Sequence, residues 1–227
     1  MHSLHGYFLR PGDAKAPTVF LVERLRDGGS FCTRRVSAVQ HGKTIFSMSA
    51  SFQTDQEGIN HQDAVPVAPP PYDLPGLQTF KVFDESGFRQ FEEWDVRIVP
   101  QEELQHLPGK ASQQQVWFRH RDPLPDDPVL HICALAYMSD LTLLGSAQVN
   151  HLDERSHLQV ASLDHAMWFM RVFRADEWLL YDQSSPSACG GRSLCQGKIF
   201  NQSGEMVAAV MQEGLTRFAR GYQHRQQ

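Results

Sequence analysis

Apolar residues, many of them β-branched or aromatic, are frequent in several short segments of the N-terminal part of the chain, which is typical of β-strands. Short turns rich in glycine, proline and aspartate separate these segments. These segments predict strands at residues 2–9, 18–23, 30–40 and 44–52. Four short strands joined by tight turns predict an antiparallel meander.

The composition changes at about residue 55, where Gln, Asp, Ala and proline become frequent. The run VPVAPPP at 65–71 is too rich in proline for a helix interior or for a strand inside a sheet. A linker is therefore predicted here, and strands are predicted after it at 95–99 and 116–121.

One long helix is predicted at residues 128–147. Asp127 and Pro128 fit the N-cap and first positions of a helix, and Gly145 lies near its predicted end. The helix is apolar around almost its whole circumference, which is typical of a helix that is buried on most sides. Further strands are predicted at 158–170, 177–183, 192–200 and 206–218.

Three short patterns recur at an offset of 161 or 162 residues. They are FLR at 8–10 and FMR at 169–171, the GG pairs at 28–29 and 190–191, and the hairpins at 41–45 and 203–207. A constant offset within matching strand contexts predicts two copies of one unit. A unit with one long buried helix and an antiparallel sheet that wraps around it is a hot dog.

The chain is therefore predicted to be an α+β protein with the double hot-dog fold. The predicted units are an incomplete N-terminal hot dog at residues 1–54, a proline-rich linker and connecting segment at 55–94, and a complete C-terminal hot dog at 95–227 that carries the site. The first unit is expected to be incomplete because the helix position, shifted back by the repeat distance, falls before residue 1.

Charge and composition exclude several classes of partner. The net charge is −5, and basic and acidic residues are evenly mixed, so the chain offers neither a basic field for nucleic acid nor a polybasic run for a membrane surface. No apolar run of about eighteen residues and no signal peptide are recognised. A cytoplasmic location is therefore expected.

The four cysteines, Cys32, Cys133, Cys189 and Cys195, form no C-x-x-C pair and have no histidine at zinc spacing. Neither a metal site nor a disulfide framework is predicted, and no cofactor is expected. The cysteines are predicted to be buried thiols in a reducing compartment.

Four motifs resemble the acyl-CoA thioesterase II family. They are HSLHGYFLRPGD at 2–13, AYMSDLTLLG at 136–145, SLDHAMWFMRVFRADEWLLY at 162–181 and MQEGLTR at 211–217. The resemblance implies hydrolysis of acyl-CoA thioesters to free fatty acid and coenzyme A, with water activated by an Asp, a Ser or Thr, and a Gln. Matched motif by motif, the catalytic residues are Asp140, Ser162 and Gln212.

The family begins with a further segment that holds the first strand and central helix of the first hot dog, and this chain is expected to start after it.

The residues themselves give partial support for this site. Asp140 lies among apolar residues with no Arg or Lys within a helical turn, and an unpaired buried carboxylate would cost several kcal/mol. An exposed Asp at a helix bend is the alternative. Ser162 and Gln212 could each be ordinary polar strand residues, although a neutral amide can orient water without competing for its proton. Ala50 matches Gln212 in the first repeat, so the second unit is predicted to be the catalytic one.

Other functions remain open from the sequence. An enoyl-CoA hydratase with this fold would use an Asp and a His near the start of the helix, at 126–131, and a non-catalytic protein would only bind acyl-CoA or form oligomers. Asp164 and His165 are predicted to be structural, because adjacent strand residues point to opposite faces. A homo-oligomer is expected, because the first sheet would otherwise expose an apolar face.

Overall fold

The computed structural model describes residues 1–77 and 91–219. Its strands are β1 (Ser3–Phe8), β2 (Val19–Asp27), β3 (Phe31–Gln40), β4 (Lys43–Gln53), β5 (Trp94–Ile98), β6 (Gln113–His120), β7 (Leu158–Ser162), β8 (Asp164–Phe169), β9 (Leu179–Cys189), β10 (Arg192–Asn201) and β11 (Met206–Phe218). Helix α1 spans Pro128–Leu143, and short 3-10 helices span Pro71–Asp73, Leu144–Ala147 and Arg155–His157. Parts of two predicted units, 78–90 and 220–227, lie outside the described residues.

All of these strands belong to one antiparallel sheet. The order of the strands is β2-β3-β4-β1-β8-β11-β10-β9-β6-β5, and β7 pairs with the end of β11. Strand β4 ends at Gln53 and β5 begins at Trp94, so both predicted hot-dog units contribute to the same sheet. The division of the chain at residues 54 and 94 stays a prediction.

The two halves of the sheet repeat each other. Strands β1 to β4 lie in the order β2-β3-β4-β1, and strands β8 to β11 continue as β8-β11-β10-β9, which is the same order reversed. The halves meet where β1 pairs with β8. There His5 is paired with Ala166, the residue 161 positions further along the chain, and Leu4 and Gly6 are paired with Met167 and His165 on either side. The internal repeat predicted from the sequence is therefore present in the fold.

Helix α1 packs against one face of the sheet and forms the centre of the core. Leu135, Met138 and Leu143 of the helix are fully buried in a cluster with Phe118 of β6 and Met167 of β8. Each such side chain contributes about 1.5–3 kcal/mol when it is removed from water. This packing fixes the position of the last turn of the helix relative to the strands.

The start of helix α1 is as predicted. The carboxylate of Asp127 accepts a hydrogen bond of 2.9 Å from the backbone N–H of Val129, and Pro128 occupies the first turn. The predicted end at residue 147 includes the tighter 3-10 turn that follows Leu143. Close packing at this end requires a glycine in β11, because a Cβ at Gly214 would lie 2.4 Å from Leu144 Cδ2.

The predicted burial of helix α1 on most sides is wrong for one face. Val129 and Tyr137 are more than half exposed, and Cys133 is also exposed. An apolar composition all around a helix does not identify which face meets the sheet. The prediction that all four cysteines are buried is also wrong, because Cys133 of the helix and Cys189 of β9 are exposed and only Cys195 is fully buried.

By length and composition alone, Pro128–Ala147 is apolar enough to cross a membrane, contrary to the expectation that no such run exists. In the structure this stretch is the central helix and the short turn after it, and it packs against the sheet. A core helix and a membrane span have similar compositions, so the helix is explained by its place in the core.

The strand predicted at 158–170 is interrupted at Leu163. Before this residue, β7 pairs with the C-terminal part of β11; after it, β8 pairs with β1 and with an earlier part of β11. The register against β11 shifts across the interruption, because Gly214 pairs with Ser162 whereas Met211 pairs with Ala166. The end of β7 and the start of β8 are thereby placed beside the middle of β11.

Candidate active site

The three predicted site residues lie on three different elements and meet at one point. Asp140 is in the last turn of α1, Ser162 is the last residue of β7, and Gln212 is in the middle of β11. Gln212 Nε2 lies 2.6 Å from Asp140 Oδ1 and 2.8 Å from Ser162 Oγ, and Ser162 Oγ lies 3.2 Å from Asp140 Oδ1. The structure therefore brings all three together.

The hydrogen bonds in this trio have a defined direction. The two N–H groups of the Gln212 amide are donated to Asp140 and to the Ser162 hydroxyl, and that hydroxyl donates to Asp140. An ionised carboxylate only accepts hydrogen bonds, so this arrangement fits a negatively charged Asp140. Within the described residues, Asp140 accepts the hydrogen bonds from Gln212 and Ser162 at Oδ1. Its other oxygen, Oδ2, is therefore left to contact a water or substrate.

Asp140 is neither unpaired nor fully buried, which corrects the expectation from the sequence. Its side chain keeps 35% of its surface exposed, whereas Gln212 is completely buried behind it. The partners of Asp140 lie on β7 and β11, far from the helix in sequence. For this reason the apolar neighbours of Asp140 within the helix do not describe its surroundings.

An apolar groove of about 260 Å³ opens at Asp140. Strands β1 and β4 of the first half provide Leu4, Phe8, Phe46 and Met48, and helix α1 provides Ala136, Tyr137 and Leu141. His165 also lies on the lining. The trio belongs to the second half of the molecule, but the first half therefore supplies one wall of the space in front of it.

Sequence reasoning missed two residues at this site, His165 of β8 and Ser139 of α1. His165 Nδ1 lies 3.1 Å from Gln212 Oε1 and 3.8 Å from Asp140 Oδ1, and Ser139 Oγ lies 2.8 Å from His165 Nε2. Asp164 and His165 do point to opposite sides, because Asp164 instead accepts a bond from the Glu213 backbone N–H. His165 and Met167 are two residues apart in β8 and are both buried. This spacing is the signal that could have indicated that His165 lies on the buried face of the strand.

Comparison with known proteins identifies the family of the chain. Residues 85–215 match the sequence profile of the acyl-CoA thioesterase family, and residues 1–53 match the profile of the acyl-CoA thioesterase N-terminal domain. Acyl-coenzyme A thioesterase 8 of Mus musculus is 38% identical over 233 residues, which cover 96% of this chain and 73% of that protein. The chain belongs to the acyl-CoA thioesterase family.

Solved structures support the assignment of family and fold. The crystal structure of an acyl-CoA thioesterase II from Mycobacterium marinum has 79% sequence identity and a TM-score of 0.90, and the match covers 97% of this chain and 82% of that one. A hot-dog-fold protein from Alicyclobacillus acidocaldarius has 20% identity, a TM-score of 0.78 and coverage of 96% and 79%. The predicted double hot-dog fold of this thioesterase family member is thus confirmed.

The residues that would serve a hydratase are used elsewhere in this acyl-CoA thioesterase family member. Asp126 has an almost fully exposed side chain and forms an ion pair of 3.0 Å with Arg174. His131 is buried, and its Nδ1 accepts a hydrogen bond of 3.1 Å from the backbone N–H of Ala175. Asp127 caps the helix. These contacts are structural and form no shared site.

Burial determines the charge state of His165. The loss of solvent lowers the pKa of its imidazole below the ordinary value of 6.5, and this effect outweighs the nearby charge of Asp140, which acts to raise the pKa. Hydrogen bonding to Gln212 and the charge of Asp164 also act to raise it. His165 is therefore neutral at neutral pH.

This shift predicts a pH-dependent stability. As the pH falls below about 6.5, the unfolded chain binds a proton at His165 before the folded protein does, so the free energy of unfolding decreases. We expect His165→Asn to make this decrease shallower, and Val172→Asn, a substitution at an exposed valine, to leave it unchanged. Urea denaturation midpoints measured across this pH range test the prediction, and parallel curves for all three proteins would contradict it.

Proposed function

We propose that this protein hydrolyses fatty acyl-CoA thioesters and releases a carboxylic acid and coenzyme A. The observation that carries the proposal is the hydrogen-bonded trio of Asp140, Ser162 and Gln212, of which Asp140 lines an apolar groove. Membership of the acyl-CoA thioesterase family supports the same reaction. A partly exposed carboxylate held by neutral donors is suited to act as a base towards water.

In the proposed reaction, Asp140 is the general base. A water molecule beside its carboxylate loses a proton to Asp140 as the water oxygen attacks the carbonyl carbon of the thioester. The carbon–sulfur bond then breaks, and the proton held by Asp140 passes to the sulfur of coenzyme A. One water is consumed, and one acid and one thiol are formed.

Ser162 and Gln212 hold the base in position. Both donate to the same oxygen of Asp140, which fixes the carboxylate plane and directs the other oxygen to the water. Neither side chain carries a charge, so neither competes for the proton that Asp140 must accept. Fixed geometry of this kind removes part of the entropic cost of bringing water and thioester together.

The groove is suited to hold the acyl chain. Its walls are largely apolar, and Asp140 is its charged group. Placing a hydrocarbon chain along Leu4, Phe46 and Met48 would remove apolar surface from water and bring the thioester carbonyl to Asp140. A groove lined by apolar side chains with a few polar groups at one end is the usual form of a site for such ligands.

A thiol-release assay with a series of saturated acyl-CoAs tests the proposed reaction. A thioesterase liberates free coenzyme A, whereas a hydratase consumes the double bond of an enoyl-CoA and liberates no thiol. A protein that only binds acyl-CoA does neither. Absence of thiol release across the whole series would overturn the proposal.

We also propose that the protein forms homo-oligomers. Strand β2 is the edge of the sheet, and Val19, Phe20, Leu21 and Val22 are all more than half exposed on it. An exposed apolar edge strand favours association with another chain.

We therefore expect the wild-type protein to have a larger mass in solution than a single chain, because association covers the apolar residues of β2. The double substitution Phe20→Lys with Val22→Lys should shift the mass towards the monomer, and Val172→Lys, at an exposed valine outside β2, should not. Static light scattering at several protein concentrations measures the mass. A wild-type monomer at every concentration would show that β2 needs no partner.

A further inference from the structure

Two buried side chains behind the proposed site have no part in the reaction described above. His165 is 6% exposed and Ser139 is completely buried. Together they extend the hydrogen-bond network from Gln212 towards the centre of the molecule, through contacts of 3.1 Å and 2.8 Å. Ser139 Oγ also lies 2.9 Å from the carbonyl oxygen of Ala136, and because the hydroxyl has one hydrogen, it donates either to this carbonyl or to His165 Nε2.

The role of Gln212 depends on which end of its amide faces Asp140. The oxygen and nitrogen ends of a side-chain amide have nearly the same shape, so a rotation of half a turn costs little in packing. That rotation would place Oε1 against the carboxylate of Asp140, where two acceptors repel each other. It would also remove the bonds that Nε2 donates to Asp140 and Ser162.

We propose that His165 and Ser139 are positioning residues that hold the Gln212 amide with Nε2 towards Asp140. His165 does so by donating its Nδ1–H to Gln212 Oε1, and Ser139 does so by donating its hydroxyl to His165 Nε2. The inference rests on the proposed function, since it assigns these residues to the same hydrolytic site.

The geometry determines the tautomer of His165. Gln212 Nε2 donates both of its hydrogens elsewhere, so Gln212 Oε1 is the atom that faces His165 and it can only accept. Nδ1 must therefore carry a hydrogen. Burial lowers the pKa of His165, so the ring is neutral and Nε2 is an acceptor. The neighbouring hydroxyl of Ser139 satisfies it by turning its single hydrogen to His165 Nε2 and away from the carbonyl oxygen of Ala136.

Ser139 is itself held in place. Tyr181 Oη donates a hydrogen bond of 3.2 Å to the backbone carbonyl oxygen of Ser139, and Met167 Sδ lies 3.1 Å from Ser139 Oγ. Tyr181 is completely buried, so this support is fixed by the packing of β9 against the helix. The series Tyr181, Ser139, His165 and Gln212 thus connects the rigid core to Asp140.

Substitutions at His165 test the positioning role in kinetic terms. We expect His165→Leu to lower kcat about 100-fold with little change in KM, because the amide of Gln212 is no longer held. His165→Asn should retain most of the kcat, since its side-chain N–H can take the place of Nδ1–H. Val96→Ala, a substitution at a buried residue of β5 at the far edge of the sheet, should leave kcat unchanged.

A double substitution separates positioning from general structure. In a Gln212→Ala background there is no amide to orient, so His165→Leu should cause no further loss of kcat. A loss by the same factor in both backgrounds would overturn the proposal, as would a His165→Asn variant no better than His165→Leu. These kinetic results apply only if the wild-type protein hydrolyses acyl-CoA.

A spectroscopic measurement is independent of catalysis. Nitrogen NMR of the wild-type protein with labelled histidine, assigned by the loss of signals in His165→Asn, reports which ring nitrogen of His165 carries the hydrogen. We expect a neutral ring with the hydrogen on Nδ1 at neutral pH. A hydrogen on Nε2 alone would overturn the proposal even if the enzyme is active. The expected tautomer in a protein without thioesterase activity would instead show that the proposed function had failed.

Discussion

Replacing Asp140 with Asn should lower kcat for acyl-CoA hydrolysis about a thousandfold, because the substitution removes the general base and keeps its shape. The Asn oxygen can still accept the bonds from Ser162 and Gln212, so the fold should remain intact. The measurement is kcat by thiol release, together with a thermal melt that checks folding.

Asp126→Asn is the matched control for this variant. It makes the same chemical change just before helix α1, at a carboxylate whose ion pair with Arg174 is largely exposed. An exposed pair contributes at most about 1 kcal/mol to stability, so neither activity nor folding should change appreciably. An Asp140→Asn enzyme with undiminished kcat would exclude Asp140 as the base.

The second large effect is expected for Gln212→Glu, which should lower kcat about 100-fold or more and should be more damaging than Gln212→Ala. The glutamate has almost the shape of Gln212 but places a carboxylate oxygen where Nε2 lies, 2.6 Å from Asp140 Oδ1. Two carboxylates at that distance share a proton, so Asp140 is no longer free to accept one from water. Steady-state kinetics of the two variants measures the difference, and KM should change less than kcat.

Gln159→Glu provides the control for added charge. Gln159 is an exposed residue of β7, and its Oε1 accepts a hydrogen bond from Arg217, so a carboxylate is tolerated there. We expect the control to retain full activity. Equal kcat values for Gln212→Glu and the wild-type enzyme would show that the amide has no part in holding the base.

Much of the fold follows from local sequence patterns. The strand at Met206–Phe218 and the capped helix start at Asp127 agree with prediction, because strand-forming composition and helix capping depend on residues close together in sequence. The repeat was also visible, since glycine pairs mark equivalent turns. The interruption at Leu163 was not visible in the sequence, because it depends on the register of two strands, β7 and β8, against β11.

The candidate site was predicted in part. Resemblance to a family selected Asp140, Ser162 and Gln212, and the structure brings them together. The surroundings of Asp140 and the position of His165 could not be predicted. Both depend on contacts between residues more than twenty positions apart, which hydrophobic periodicity does not encode.

The contribution of the first half of the molecule is a further feature that the sequence did not predict. The second unit was expected to carry the site, and Asp140, Ser162 and Gln212 lie in it. Leu4, Phe8, Phe46 and Met48 of the first unit also line the groove in front of Asp140. Their position follows from the pairing of β1 with β8, which joins the two halves directly beside His165. A site at the junction of two repeats cannot be located by reading either repeat separately.

A single turnover in isotopically labelled water tests most directly whether Asp140 acts as a base or as a nucleophile. With enzyme in excess over acyl-CoA, mass spectrometry follows heavy oxygen into the released acid and into the peptide that contains Asp140. Direct attack by water predicts one heavy oxygen in the acid and none in the peptide. An unlabelled acid together with a labelled Asp140 peptide would mean that Asp140 attacks the thioester itself and forms an anhydride, and it would contradict the proposed mechanism.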